Sequence, residues 1–150
     1  MKPLIVLLVV FGISILILHL IYGQYELALS GRIAMSSMLA FTALGHFAFA
    51  EGMTMMIPEF VPYKKPVVYL TGVFELLAAL GLLIPNIYRF TSWSLIIFFI
   101  LILPANINAS LKKVNFQKKT NDGHGVGYLW FRVPLQIAFI LWIYFSGIKG

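Results

Sequence analysis

The run from Pro66 to Pro85, PVVYLTGVFELLAALGLLIP, carries a single carboxylate, Glu75, near the middle of an otherwise apolar stretch. About 20 such residues wound as a helix cross a hydrocarbon core ~30 Å thick. A carboxylate at that depth costs ~3 kcal/mol on insertion scales, so it must face something other than lipid. At about 100° per residue, Thr71, Gly72, Ala78 and Ala79 fall within about 60° of Glu75, and Phe74, Leu77, Leu80 and Leu83 lie off that stripe. Small residues on one stripe let two backbones approach closely. Glu75 is therefore expected to point into a helical bundle.

The rest of the chain fits that frame. Of 150 residues, 61% are hydrophobic and 11% charged, against roughly 45–50% and about 25% in soluble domains. Mean hydropathy is +0.94. These values define an all-α integral membrane protein of one domain. The net charge of +6 does not indicate nucleic acid, because the basic residues cluster in short segments between apolar runs, as positive-inside topology requires. Cysteine is absent, which excludes disulfides, thiolate metal sites and thiol relay chemistry within the chain. No other metal-ligand spacing is evident.

Five apolar runs follow one another, at about 3–22, 32–57, 66–84, 91–108 and 128–147. The first, behind Lys2, is too long for a signal peptide and lacks a small-x-small cleavage site, so it reads as a retained helix. The second begins at Arg32 and contains His46 and Glu51. The connector PEFVPYKK, with Pro58 and Pro62, reads as a broken turn at the surface. Pro104 in the fourth run frees the carbonyl of Ile100, which in a membrane needs another partner, and Asn106 lies close enough to contribute. The polar stretch from Leu111 to Gly127 reads as a loop with a solvated His124.

Five crossings place Lys2, Lys64, Lys65, Lys112, Lys113, Lys118 and Lys119 on one side and Arg32, Arg89 and Lys149 on the other. This excess puts the N-terminus inside and the C-terminus outside. The expected location is a cell inner (cytoplasmic) membrane, crossed several times, with the C-terminus periplasmic.

At 1.5 Å per residue, Glu75 lies ~13 Å from the inner boundary, His46 and Asn106 ~9 Å, and Arg132 and Gln136 ~6 and ~12 Å. Four helices thus bring polar groups to one level, and Arg132 can extend toward Glu75 as a charge partner. Two roles are open to such a cluster. It can hold helices in register, or it can form a ligand or proton site. Glu51, about 140° round from His46, is better placed to pair with Lys64 or Lys65.

The ordered set of an Arg at a helix start, GHF, a PxxxP turn, YLTGVFELLAALGLLIP, LPANI and WFRVPLQ resembles the DoxX-like small membrane proteins, over Arg32 to about Phe145. The resemblance implies a four-helix transmembrane bundle over residues 32–147, to which Pro3–Tyr22 adds an N-terminal helix. It also implies His46, Glu75, Asn106, Arg132 and Gln136 as the characteristic polar positions. Functions among such proteins are diverse: one resembles a subunit of a thiosulfate:quinone oxidoreductase, and related eukaryotic proteins assist assembly of nicotinic receptors. Two functions follow as expectations. One is an accessory or scaffold subunit of a membrane assembly, not an enzyme on its own, whose partners are lipids and other membrane subunits. The other is a subunit binding quinone or a small lipophile, in which His46 and Glu75 handle protons and Arg132 or Gln136 orients a carbonyl.

Overall fold

The computed structural model describes residues 2–55, 57–58, 60–111 and 129–149. All of the described elements are helical. They are α1 (Lys2–Tyr22), α2 (Leu27–Ala48), α3 (Ala50–Thr54), α4 (Lys64–Gly81), α5 (Tyr88–Leu111) and α6 (Leu129–Ile143), with a π-helical turn, Tyr144–Ile148, continuing α6. The basic loop after Leu111, with Lys112, Lys113, Lys118, Lys119 and His124, lies outside the described residues, as do Met56 and Tyr128.

Four segments are long and apolar enough to cross a membrane: Pro3–Tyr22, Leu27–Ala48, Tyr88–Asn108 and Phe131–Ile148. The helix carrying Glu75 is not one of them. It begins at Lys64, two residues earlier than the apolar run suggests, and its 18 residues include Lys64, Lys65 and Glu75. Its rise is about 27 Å.

Three other boundaries differ from the sequence pattern. The second run is two helices, because Phe49 leaves helical geometry (φ −118°, ψ 33°). The chain then turns so that Ala50 and Ile57 pack with Val68 in a small second core. α2 also starts at Leu27 rather than Arg32, which puts Arg32 in its second turn. α5 starts at Tyr88 and runs unbroken through Pro104. The connector before α4 is the expected broken turn, and Tyr63 takes a left-handed conformation (φ 55°) as it enters the helix.

The bundle interior is built largely from small residues, as expected where lipid competes with protein for every apolar surface. On α4, Gly72, Glu75, Ala78 and Ala79 are buried, while Leu77 and Leu80 are 64% and 62% exposed. The stripe drawn from the sequence is the packed face. Facing it, Ala34, Met35, Met38, Leu39 and Ala43 of α2 are buried. Ser36 Oγ donates to the Ala79 carbonyl at 2.6 Å, tying α2 to α4. Phe74, off the stripe, still packs against the core, its ring 4.8 Å from that of Phe98.

Close approaches fix which helix ends lie together. A Cβ on Gly31 would lie 2.8 Å from Ser146 Cβ, and one on Gly147 would run into Ser92. Trp142 Nε1 donates to the Gly31 carbonyl at 3.0 Å. The starts of α2 and α5 and the end of α6 therefore share one end of the bundle. At the π-turn the Lys149 amide reaches back to the Tyr144 carbonyl (2.9 Å), five residues away where an α-helix uses four.

Candidate functional site

His46 sits near the C-terminal end of α2 and Glu75 in the middle of α4. The imidazole Nε2 stands 3.4 Å from Glu75 Oε2, and the Glu75 side chain is 6% exposed. Space for this meeting comes from Gly72, one turn before Glu75. A Cβ there would lie 2.9 Å from His46 Cβ.

The neighbouring hydrogen bonds bear on which imidazole nitrogen carries a proton. His46 Nδ1 lies 3.1 Å from the Val68 carbonyl and 3.0 Å from Thr71 Oγ1. The Thr71 hydroxyl donates to that same carbonyl at 2.8 Å. A carbonyl oxygen only accepts, so the Val68 contact is a hydrogen bond in the tautomer that carries its proton on Nδ1. In that tautomer a neutral imidazole presents Nε2 to Glu75 as an acceptor, and an imidazolium presents it as a donor. Thr42 Oγ1 is within reach of both Glu75 Oε2 (3.1 Å) and the Leu39 carbonyl (3.0 Å). Its hydroxyl has one proton, which it can give to either oxygen.

Both polar partners of Glu75 lie on α2. The expected partner, Arg132, is elsewhere. Its Nη1 donates to Asn106 Oδ1 at 3.3 Å, between α6 and α5. Gln136 Nε2 donates to the Phe99 carbonyl at 3.0 Å and is itself buried. The physical reason is lateral placement. α4 packs on α2, α3 and α5, and α6 packs on α5 and α2, with no α4–α6 contact among the described residues. The five predicted polar positions thus form two sets, His46 with Glu75 and Asn106 with Arg132 and Gln136. Both occupy the half of the bundle opposite the Gly31–Ser146 end. Phe74, Phe98, Phe99 and Phe139 form a series of neighbouring rings from α4 through α5 to α6.

Thr42 was not apparent as a site residue, although it lies four residues before His46 and therefore on the same helix face. Neither of two hollows at the surface is lined by the five polar positions. One of about 200 Å³ is lined by Phe47, Ala48, Ala50, Glu51, Lys65 and Tyr69, which puts Glu51 and Lys65 at one hollow as their sequence positions suggest. The other, of about 430 Å³, is an apolar groove lined by residues that include Phe11, Gly31 and Trp142. Among the described residues no group of three or more His, Asp or Glu side chains is arranged to hold a metal.

These features define a small, helical, multi-pass membrane protein with buried polar contacts between its helices. The chain belongs to the family described as Domain of unknown function (DUF8561), whose model matches residues 35–146. That match takes in all five polar positions and leaves α1 outside. No curated protein and no solved structure matches the chain.

Proposed function

We propose that the protein is an accessory or scaffold subunit of a membrane assembly, and that its buried polar groups hold the helices in register. One observation carries this reading: polar side chains of the inner half are spent on neighbouring helices. His46 and Glu75 join α2 to α4, and Arg132 and Gln136 join α6 to α5. Such contacts contribute ~0.6 kcal/mol each on average in membranes, enough to select one packing among several. In this reading the chain crosses an inner membrane five times, α4 included, with its N-terminus inside. The DoxX-like resemblance, which rests on the ordered motifs alone, agrees with a core of α2 to α6 and α1 as an addition.

The test is the size of the native particle. Membranes solubilised in a mild detergent should release the full chain with other membrane subunits, and Glu75→Gln should leave that association intact. A chain that migrates alone, in native gels and after cross-linking in membranes, would refute the scaffold reading.

A second reading rests on the contact of His46 with Glu75, two groups able to exchange a proton, as a redox subunit handling quinone would need near its ligand. Co-extraction of stoichiometric quinone with the wild-type chain, lost in Glu75→Gln, would favour it over the scaffold.

A further inference from the structure

At the opposite end of the bundle from His46, two arginines lie beside one tyrosine, one packed on its ring and one next to it in the chain. The guanidinium of Arg32 lies over the Tyr88 ring, 3.9 Å from its centroid. Arg89, the next residue along α5, is exposed at the same end of the bundle. Neither arginine has a carboxylate within ion-pair distance among the described residues. Glu26, at the same end of α2, accepts a hydrogen bond from Gln24 Nε2 at 2.8 Å instead. Arg32 Nε is buried and unpartnered.

Two like charges beside one ring repel, and burial of part of one guanidinium weakens the screening that water would give. The tyrosine face does not neutralise the charge of Arg32, since a cation–π contact engages the guanidinium face, and Nε is left without a partner. A tetrahedral anion satisfies both demands. Its oxygens accept from the fork of each guanidinium, the pairing for which arginine geometry is suited. The position also fits, because α5 begins at Tyr88, and apolar helices emerge at the headgroup layer of a bilayer, where aromatic and arginine side chains anchor.

We propose that Arg32, Tyr88 and Arg89 form a binding site for a phosphate-bearing anion, in the first place the phosphodiester of an anionic lipid headgroup. Each arginine contributes one fork, and the Tyr88 ring holds Arg32 in place beneath the anion. The proposal is independent of the scaffold reading, since it concerns the other end of the bundle.

Native mass spectrometry of the full chain in a mild detergent tests it, with dioleoylphosphatidylglycerol, dioleoylphosphatidylcholine and inorganic phosphate as probes. The expected result is saturable binding of phosphatidylglycerol, at least tenfold tighter than phosphatidylcholine, whose choline cation the arginine pair repels. Binding should fall at least tenfold in the Arg32→Gln/Arg89→Gln variant. Arg89→Gln alone, at an exposed position, should fold normally and lose severalfold. If millimolar inorganic phosphate displaces the lipid, the site recognises the phosphate group itself. If it does not, the site needs the lipid's glycerol and chains as well, and the source is the membrane. Equal binding of the two lipids, or undiminished phosphatidylglycerol binding in both variants, would overturn the proposal.

Discussion

Gly72 and His46 meet across the α2–α4 contact with no room for a methyl group, since a Cβ on Gly72 would lie 2.9 Å from His46 Cβ. That Cβ belongs to the stiff base of a side chain, so relief requires the helices to separate. Gly72→Ala should therefore destabilise the bundle by ~1–3 kcal/mol, the usual range for overpacking. Thermal unfolding in detergent measures this. An unchanged midpoint would mean that the two helices are not so closely held.

The His46–Glu75 pair should show coupling. Replacing Glu75 with Ala leaves His46 Nε2 without its partner, and replacing His46 leaves the acid stranded, whereas the double replacement strands neither. Losing one member of a buried pair costs ~3–5 kcal/mol in soluble proteins, and membrane cycles reach ~1.7 kcal/mol at most. A coupling of about 1–1.7 kcal/mol in a double-mutant cycle, the upper part of that range, is expected. Strict additivity would show that the contact contributes nothing.

Ser92 and Gly147 offer a compensation experiment. A Cβ on Gly147 would lie 2.8 Å from Ser92 Cβ, so Gly147→Ala should lower stability. Adding Ser92→Gly removes the obstructing side chain and should recover most of the loss. Failure of the second substitution to rescue would place the strain elsewhere.

Gln136 offers a graded series. Gln136→Leu removes the donor to the Phe99 carbonyl and should cost on the order of 0.6 kcal/mol. Gln136→Glu should cost more, because a carboxylate facing a carbonyl repels it and cannot donate unless protonated. The order of unfolding midpoints, wild type above Leu above Glu, is the check.

Orientation is tested by reporter fusions. Those placed after Lys119 should read cytoplasmic and those at Gly150 external. Both reading the same side would remove one crossing.

The inward face of α4 was legible from the sequence because Thr71, Gly72, Glu75, Ala78 and Ala79 recur at helical spacing, and backbone approach depends on side-chain size. The partner of Glu75 was not. Depth along the membrane normal follows from residue counting, but lateral order does not, and at one level opposite charge points to Arg132 and not to His46. The bundle places α2 beside α4 and keeps α6 away. The early start of α2 was hidden for a different reason. Arg32, the charge that precedes the long apolar run, reads as a border residue in the sequence, although it stands in the second turn of α2. The split at Phe49 has no local signal, since Ala48 and Ala50 are good helix formers.

The widened turn at Tyr144–Ile148 has a consequence for how the C-terminal segment can change. A π-turn is one residue more than an α-helix needs over the same rise. Deleting one residue from it would restore ordinary winding and leave Lys149 on the same side of the bundle, because the wide turn absorbs the extra residue. A deletion in α6 before Tyr144 has no such outlet: it would rotate everything beyond by about 100°, and Ser146 and Gly147 would leave their seats against Gly31 and Ser92. The widened turn is the place where this helix can take up a change in length.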